Sequence, residues 1–581
     1  MKKIGIGYEN YKDFIDNNMY YVDKTMIIRD ITGGGGKVTL FTRPRRFGKT
    51  LVLSMIRTFF ELEYDSDGKA VDNRRYFEGM KIMGAGDDIV SRMGQYPVIK
   101  LSLKSAKQPD FYMAVMKLME EVSSEYGRHD YLLKSEEITD DDKKLFVGIR
   151  GGKADWNDKE FSDLKEKDIA FHALCEKYAT AIRFLSECLH KHHRKKTIIL
   201  IDEYDVPLEN AYTRGFYQEM IDFIRSLFES ALKTNDALEF GVVTGCLRIS
   251  KESIFTGLNN LNVNSIRGTK FGEYFGFLQE ETEAMLSAYG LSQKVDEVKD
   301  WYDGYLFGES EVYNPWSVIK YVYDHIDKPD RFPEPYWANT SSNSIIKEMV
   351  DGSSADIRRE LDDLIAGGTI EKKIHEDITY DDVHKSEENL WNFLFFTGYM
   401  KKVSERQVEE DIYVTMKIPN REIRSIYRNQ ISDWFSNIVK NTDQTDLYKA
   451  ITDKDTDAIE TILSGQFEKA ISTFDSAESF YHGYVLSMLY NMPHYNVKSN
   501  REEGNGRPDV TLYPNRPRDP AYIFEFKTRK KFNEMQDGLQ EAFDQIKDKK
   551  YEEGVLDEGY AGVVSFGICF CKKSCIVGLY S

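Results

Sequence analysis

Of 581 residues only six are cysteines, Cys175, Cys188, Cys246, Cys569, Cys571 and Cys575, and no two of them form a Cys-x-x-Cys pair. That spacing argues against a ribbon-type zinc site, so Cys569, Cys571 and Cys575, set in apolar sequence, read as buried reduced thiols and no zinc is assigned. No apolar run approaches the roughly 20 residues that span a bilayer, and Met1-Lys2-Lys3-Ile4-Gly5-Ile6-Gly7 carries no signal core. The expectation is a cytoplasmic protein without a membrane partner. Positive charge is also short: 78 Lys and Arg stand against 97 Asp and Glu, a net charge of -19. Because nucleic-acid affinity comes largely from Lys and Arg replacing condensed counterions, this balance excludes indiscriminate coating of duplexes and leaves only a local basic groove. Tandem repeats and low-complexity segments are missing too. What remains, 41% hydrophobic and 30% charged residues, is the composition of a globular chain, and its length suggests roughly three to four domains.

Near the C-terminus stand Gly506-Arg507-Pro508-Asp509-Val510-Thr511-Leu512-Tyr513, a Pro-rich turn, and Tyr522-Ile523-Phe524-Glu525-Phe526-Lys527. Alternation along a strand puts Ile523, Glu525 and Lys527 on one face and Phe524 and Phe526 on the other. Taken alone, Glu525 and Lys527 read as a solvated pair on an amphipathic strand. With Asp509 in front of them, they make an order of groups able to build a metal-dependent site for cleaving phosphodiesters. Lys527, Arg529, Lys530 and Lys531 add a basic cluster beside it.

In the front half, Lys37-Val38-Thr39-Leu40-Phe41-Thr42 reads as a buried strand, followed by Arg43-Pro44-Arg45-Arg46-Phe47-Gly48-Lys49-Thr50 and a helix from Leu51 to Phe60. This nearly fits G-x-x-x-x-G-K-[ST], with Arg43 in place of the first glycine. Gly48 would let the backbone approach a phosphate of ATP, Lys49 would reach the β- and γ-phosphates, and Thr50 would ligate Mg²⁺. Arg45 and Arg46 are further candidate triphosphate contacts, and a fixed clamp running from Arg43 to Arg46 is one reading of this basic loop. A second apolar strand, Thr197 to Ile201, ends in Asp202-Glu203, which would hold the Mg²⁺ through water and activate the attacking water respectively.

These features together resemble a predicted AAA-ATPase-like family whose members carry a C-terminal PD-(D/E)xK nuclease-superfamily domain. The resemblance rests on Tyr20 to Thr25, Phe41 to Thr50, Leu247 to Phe255, Trp301 to Tyr305 and Tyr313 to Ser317, and it makes Arg43 a variant belonging to the family's own loop. It implies that Asp509 and Glu525 hold Mg²⁺ or Mn²⁺, with the carbonyl of Phe526 as a further ligand, and that Lys527 orients the nucleophile or offsets developing charge. It also implies accessory roles for Glu478 on a preceding helix and for Gln545 and Tyr551 after the strand pair. At the ATPase site, Thr244 at the end of Phe240 to Gly245 would sense the γ-phosphate. Arg248 would either stabilise phosphate charge or be a salt-bridged surface residue, and both readings stay open. His482 reads as a packing histidine with an outside role in touching phosphate.

The fold expected is multidomain α/β: a P-loop AAA-like parallel α/β ATPase over 1–264, a helical lid over 265–350, a connector with helices and short strands over 351–440, and a helical lead-in with a restriction-endonuclease-like α/β domain over 441–581. Trp301 to Tyr305 and Tyr313 to Trp316 offer aromatics for base stacking, but large aromatics are more often core, and core is the expectation. The functional expectation is a nuclease under ATP control, with DNA favoured over RNA through the resemblance and a homo-oligomer left open. The competing expectation is a signalling or scaffold ATPase whose C-terminal domain binds nucleic acid or a protein partner without cutting.

Overall fold

A computed structural model describes residues 2–34, 36–65, 68–152, 164–248, 254–255, 260–337, 355–376, 379–380, 382–383, 385–429, 443–470, 478–499 and 506–580. The described chain falls into two units, one comprising Met1–Trp337 and Glu371–Asn420, the other Ala338–Ile370 and Arg421–Ser581.

In the first unit, β1 (Val38–Thr42), β2 (Val98–Ser102), β3 (Thr197–Asp202), β4 (Leu238–Gly245) and β5 (Leu261–Asn264) form a sheet in the order β2-β3-β4-β1-β5. Every pairing in it is parallel. β1 and β3 are buried at every position, as expected of parallel strands covered on both faces by crossover helices. The helix Lys49–Phe60 is buried round most of its circumference, with Leu53, Ser54 and Thr58 as well as the apolar row Val52, Met55, Ile56, Phe59 and Phe60. Because all five strands run the same way, the loops after β1, β3 and β4 emerge at one edge, where open α/β sheets place their ligands.

A separate helical core in this unit joins Gln279–Ala288, Val295–Tyr302 and Pro315–His325 through Leu286, Tyr302, Tyr313 and Tyr321. Asn314 caps the last of these helices by accepting from the amides of Trp316 and Ser317, and Pro315 occupies its first turn, where no intrahelical donor is needed. Tyr302, Tyr305 and Tyr313 are buried, so this part of the aromatic cluster is core. The small hairpin of β6 (Tyr305–Phe307) and β7 (Ser310–Val312) packs Tyr305 and Phe307 against Phe47. β8 (Ile370–Ile374), β9 (Lys401–Val408) and β10 (Asp411–Lys417) form a three-stranded sheet in the order β8-β10-β9.

The second unit holds a mixed sheet in sequence order: β11 (Tyr495–Ser499), β12 (Val510–Pro514), β13 (Ala521–Thr528), β14 (Val563–Cys571) and β15 (Ser574–Tyr580). Only the β13–β14 pair is parallel, and the helices Met535–Asp548 and Tyr551–Asp557 supply its crossover. Phe524, Phe526, Phe566 and Phe570 pack on one face against the helices Thr445–Asp453, Thr456–Ala470 and Glu478–Leu489. Ile523, Ile546, Tyr551 and Val555 fill the other face.

Candidate nucleotide and nuclease sites

Gly48 has φ of +80° and caps the helix Lys49–Phe60. Space is open around it, so the demand for glycine there comes from the left-handed backbone, which turns the first amides of the helix outward. Lys49 is buried, and its Nζ donates to the carbonyls of Arg43 and Pro44, each at 2.9 Å, while lying 3.7 Å from Cys246 Sγ at the end of β4. Its ammonium is thus held in a ring of acceptors from its own loop. Thr50 follows on the first turn, half-buried.

The three arginines of this loop have different fates. Arg43 is fully buried, donates to Thr42 O at 2.9 Å and Asn264 O at 2.7 Å, and lies 5.2 Å from the ring centroids of both Phe275 and Phe307. Burial pulls its pKa down to about 9. Arg43 is therefore a wedge beneath the loop, outside any phosphate clamp. Arg45 pairs with Glu209, and its carbonyl accepts from Trp337 Nε1 at 3.3 Å. Arg46 is exposed, with its guanidinium 4.4 Å from the Trp316 ring centroid.

Asp202 closes β3 and accepts from the buried Thr244 hydroxyl and, at 3.0 Å, from the Glu203 amide. Thr244 thereby orients the Asp202 carboxylate. Glu203 adopts φ of +52° and is half-buried; burial pushes its pKa up, the charge of Asp202 adds to that, and Lys49 opposes it. A residue not anticipated from sequence, Asp205, accepts from the amides of Cys246 at 2.7 Å and Leu247 at 3.3 Å, tying the turn after β3 to the end of β4. Arg248 is salt-bridged: its Nη1 lies 3.6 Å from Glu376 Oε2, on the segment following β8. Lys49, Asp202, Glu203 and Thr244 converge at the strand ends, with Arg248 held in this ion pair.

In the second unit the ladder pairs Val510 with Phe524, so the next step places Asp509 across from Glu525. Asp509 Oδ2 accepts from the Phe526 amide at 2.8 Å, and its carbonyl accepts from His482 Nε2 at 2.9 Å. That ring nitrogen must then carry a proton, which it shares with Ser499 Oγ at 3.0 Å. Burial raises the pKa of Asp509, opposed by His482, the Phe526 amide and Lys527.

Glu525 and Lys527 are 1% and 7% exposed, which removes them from the class of solvated surface pairs. Lys527 Nζ donates to Glu525 Oε1 and to the Phe526 carbonyl, both at 3.0 Å. Tyr551 accepts from Gln545 Nε2 at 3.1 Å and donates to Arg507 O at 3.2 Å. Burial, reinforced by the charges of Glu525 and Asp509, lifts its pKa to about 12, so Tyr551 stands within the electrostatic reach of both acids. Glu478 opens its helix, and its side chain lies outside the described residues. Among the described residues no group of three or more His, Cys, Asp or Glu side chains is arranged to hold a metal. Two carboxylates and the Phe526 carbonyl remain, an all-oxygen set that suits a hard divalent ion completed by water.

Asp205, Glu209 and Glu376 carry site geometry that sequence reading did not assign, and His482, read as a packing histidine with an outside role at phosphate, bonds the Asp509 carbonyl. His482 had a signal, its place one turn into the helix after Glu478; Glu376 had none, being remote in sequence from the arginine it holds. Among the described residues, no helix is long and apolar enough to cross a membrane.

A protein of Azotobacter chroococcum described as an uncharacterized protein in the vnfD 5′ region is 22% identical over 569 residues, 95% of this chain and 93% of that one. Among solved structures, a Walker-type ATPase of Pyrococcus abyssi aligns with a TM-score of 0.35 and 13% identity, over 71% of this chain and 96% of that chain. Residues 5–255 match the predicted AAA-ATPase family and residues 476–579 match the PD-(D/E)XK nuclease superfamily, so the chain carries an AAA-ATPase-like part followed by a nuclease-superfamily part.

Proposed function

We propose that this protein binds and hydrolyses ATP and that its nucleotide state gates a metal-dependent nuclease acting on DNA. The observation that carries the nuclease half is the buried Glu525–Lys527 pair beside the half-buried Asp509, since burying a carboxylate and a lysine next to a second acid is costly without a task. Asp509 and Glu525 would hold Mg²⁺ or Mn²⁺, which when bound supplies Lewis acidity and a more acidic water. Lys527 bonds Glu525 and the Phe526 carbonyl, and its ammonium would offset negative charge growing on a phosphate.

At the other site, ATP and Mg²⁺ would use Gly48, Lys49, Thr50 and Asp202. Lys49 would exchange its two loop carbonyls for phosphate oxygens, and Glu203, its pKa raised, suits the role of proton acceptor. Gating draws support from connectivity: the chain passes between the two units at 337/338, 370/371 and 420/421, so a change in one unit has three covalent routes to the other.

The test is cleavage of DNA and RNA by full-length protein with Mn²⁺ or Mg²⁺, with and without ATP. Cleavage that ATP alters, and that both Lys49→Ala and Glu525→Ala remove, supports the reading. If no nucleic acid is cut and Asp509→Ala matches wild type, the nuclease half fails. A cellular activity lost in Lys49→Ala and intact in Glu525→Ala would instead favour the scaffold ATPase.

A further inference from the structure

The nuclease-like sheet ends in a basic patch built around an exposed aromatic ring. β13 and β14 run parallel, so their C-terminal ends lie together: Thr528 pairs with Phe570, and the Arg529 amide donates to Phe570 O at 2.9 Å. Beyond that point come Lys530, Lys531 and Phe532 after one strand, where Phe532 opens a short turn to Glu534, and the turn Lys572-Lys573 after the other. Phe532 is 56% exposed, and Lys572 Nζ lies 5.7 Å from its ring centroid. Lys531 is 3.6 Å from Glu534, an exposed pair that a polyanion can compete with.

The platform is held in place from behind. Lys572 has φ of +56°, its carbonyl accepts from the Tyr481 hydroxyl, and the Tyr481 ring stacks on Phe570 with centroids 4.4 Å apart. The turn is thereby pinned to the helix Glu478–Leu489, which also supplies His482 to Asp509. Phe532 follows Lys527 by five positions, at the end of the sheet where Glu525 and Lys527 sit and ahead of the helix Met535–Asp548 that covers their face.

We infer that Phe532, with Lys530, Lys531, Lys572 and Lys573, is a stacking platform for an unpaired segment of the nucleic-acid substrate adjacent to the cleavage site. The exposed Phe532 ring provides a face that any base can stack on, while the lysines track the backbone, a local basic patch on a chain of net charge -19. A duplex would offer the lysines phosphates but no open base for Phe532. This inference rests on the reading that the C-terminal unit acts on nucleic acid.

The experiment uses full-length protein in EDTA, which prevents cleavage, titrated with labelled oligo-dT and with a blunt duplex. Phe532→Ala is expected to weaken oligo-dT binding by about five- to a hundredfold while leaving duplex affinity within about twofold, and Phe532→Trp to restore it. Lys572→Ala is expected to flatten the slope of log affinity against log salt by about 0.7 for oligo-dT, a change Phe532→Ala does not make. Unchanged oligo-dT affinity in Phe532→Ala, equal losses for oligo-dT and duplex, or no oligo-dT binding by the wild type would each overturn the inference. Because binding is read without metal, a Phe532 effect in a protein that cuts nothing with Mn²⁺ would leave the platform standing and sink only the nuclease reading.

Discussion

Glu376 Oε2 stands 3.6 Å from Arg248 Nη1, while its other oxygen lies 3.3 Å from Arg267 Nη1 and 3.2 Å from Ser265 Oγ. A carboxylate from the segment after β8 thus gathers cationic and hydroxyl donors from the loops after β4 and β5. Arg248 follows Cys246, whose Sγ is 3.7 Å from Lys49, by two residues. If Arg248 serves the triphosphate, Glu376 competes with it. Glu376→Gln is expected to tighten ATP binding by about two- to fivefold, the scale of a partly exposed pair worth up to ~1 kcal/mol. The gain should vanish in the Arg248→Ala background. Titration with a fluorescent ATP analogue checks both, and a Glu376→Gln protein with unaltered affinity would show that this ion pair is purely structural.

The Thr244 hydroxyl donates to the Asp202 carboxylate where neither is exposed to solvent. A hydrogen bond to a charged group is worth about 1.5–3 kcal/mol, and Asp202 has few alternatives in that position. Thr244→Val keeps the shape and removes the donor, so phosphate release should fall by about ten- to a hundredfold. Thr244→Ser keeps the donor and should stay within about threefold of wild type. Equal turnover in Thr244→Val and wild type would remove Thr244 from the site.

Much of this geometry is legible in the sequence. β1, β3 and β4 are short apolar runs, and the residues that follow each of them are those that meet at the sheet edge. Alternation along β13 placed Glu525 and Lys527 together and Phe524 and Phe526 opposite, as the two cores now show. β11 has no clear sequence signal because Tyr495-Asn496-Val497-Lys498-Ser499 is a partly exposed edge strand with few apolar residues. β8, Ile370-Glu371-Lys372-Lys373-Ile374, falls in the connector expected to hold helices and short strands, but its charged middle gives no strand pattern of its own. The burial of Arg43 was illegible for another cause: it depends on Phe275 and Phe307, which only the tertiary fold brings around the guanidinium.

His482 acts through the backbone of Asp509, so its loss should misplace a metal ligand without removing one. His482→Ala is expected to raise the Mn²⁺ concentration for half-maximal cleavage by about tenfold, the lower end for an outer-shell partner. His482→Gln, which can still donate to the Asp509 carbonyl, should recover part of the loss. A purely packing histidine would leave the metal midpoint unmoved and change only thermal stability.

His193 bonds the Tyr131 hydroxyl through Nε2 at 2.8 Å and stacks beside Tyr64. Burial first, then His192 and His129, pull its pKa down to about 4. The folded state therefore favours the neutral ring, while the unfolded chain takes up the proton near pH 6.5. Between these two values the unfolded state binds more protons, so stability contributed by His193 is fully present above about pH 6.5 and is lost as pH falls toward 4. Thermal unfolding of the wild type should show a falling midpoint across that window for the first unit. His193→Gln keeps a polar partner for Tyr131 without a titrating group, and its midpoint should fall less over the same range. Parallel curves for the two proteins would assign the acid sensitivity of this window to groups other than His193.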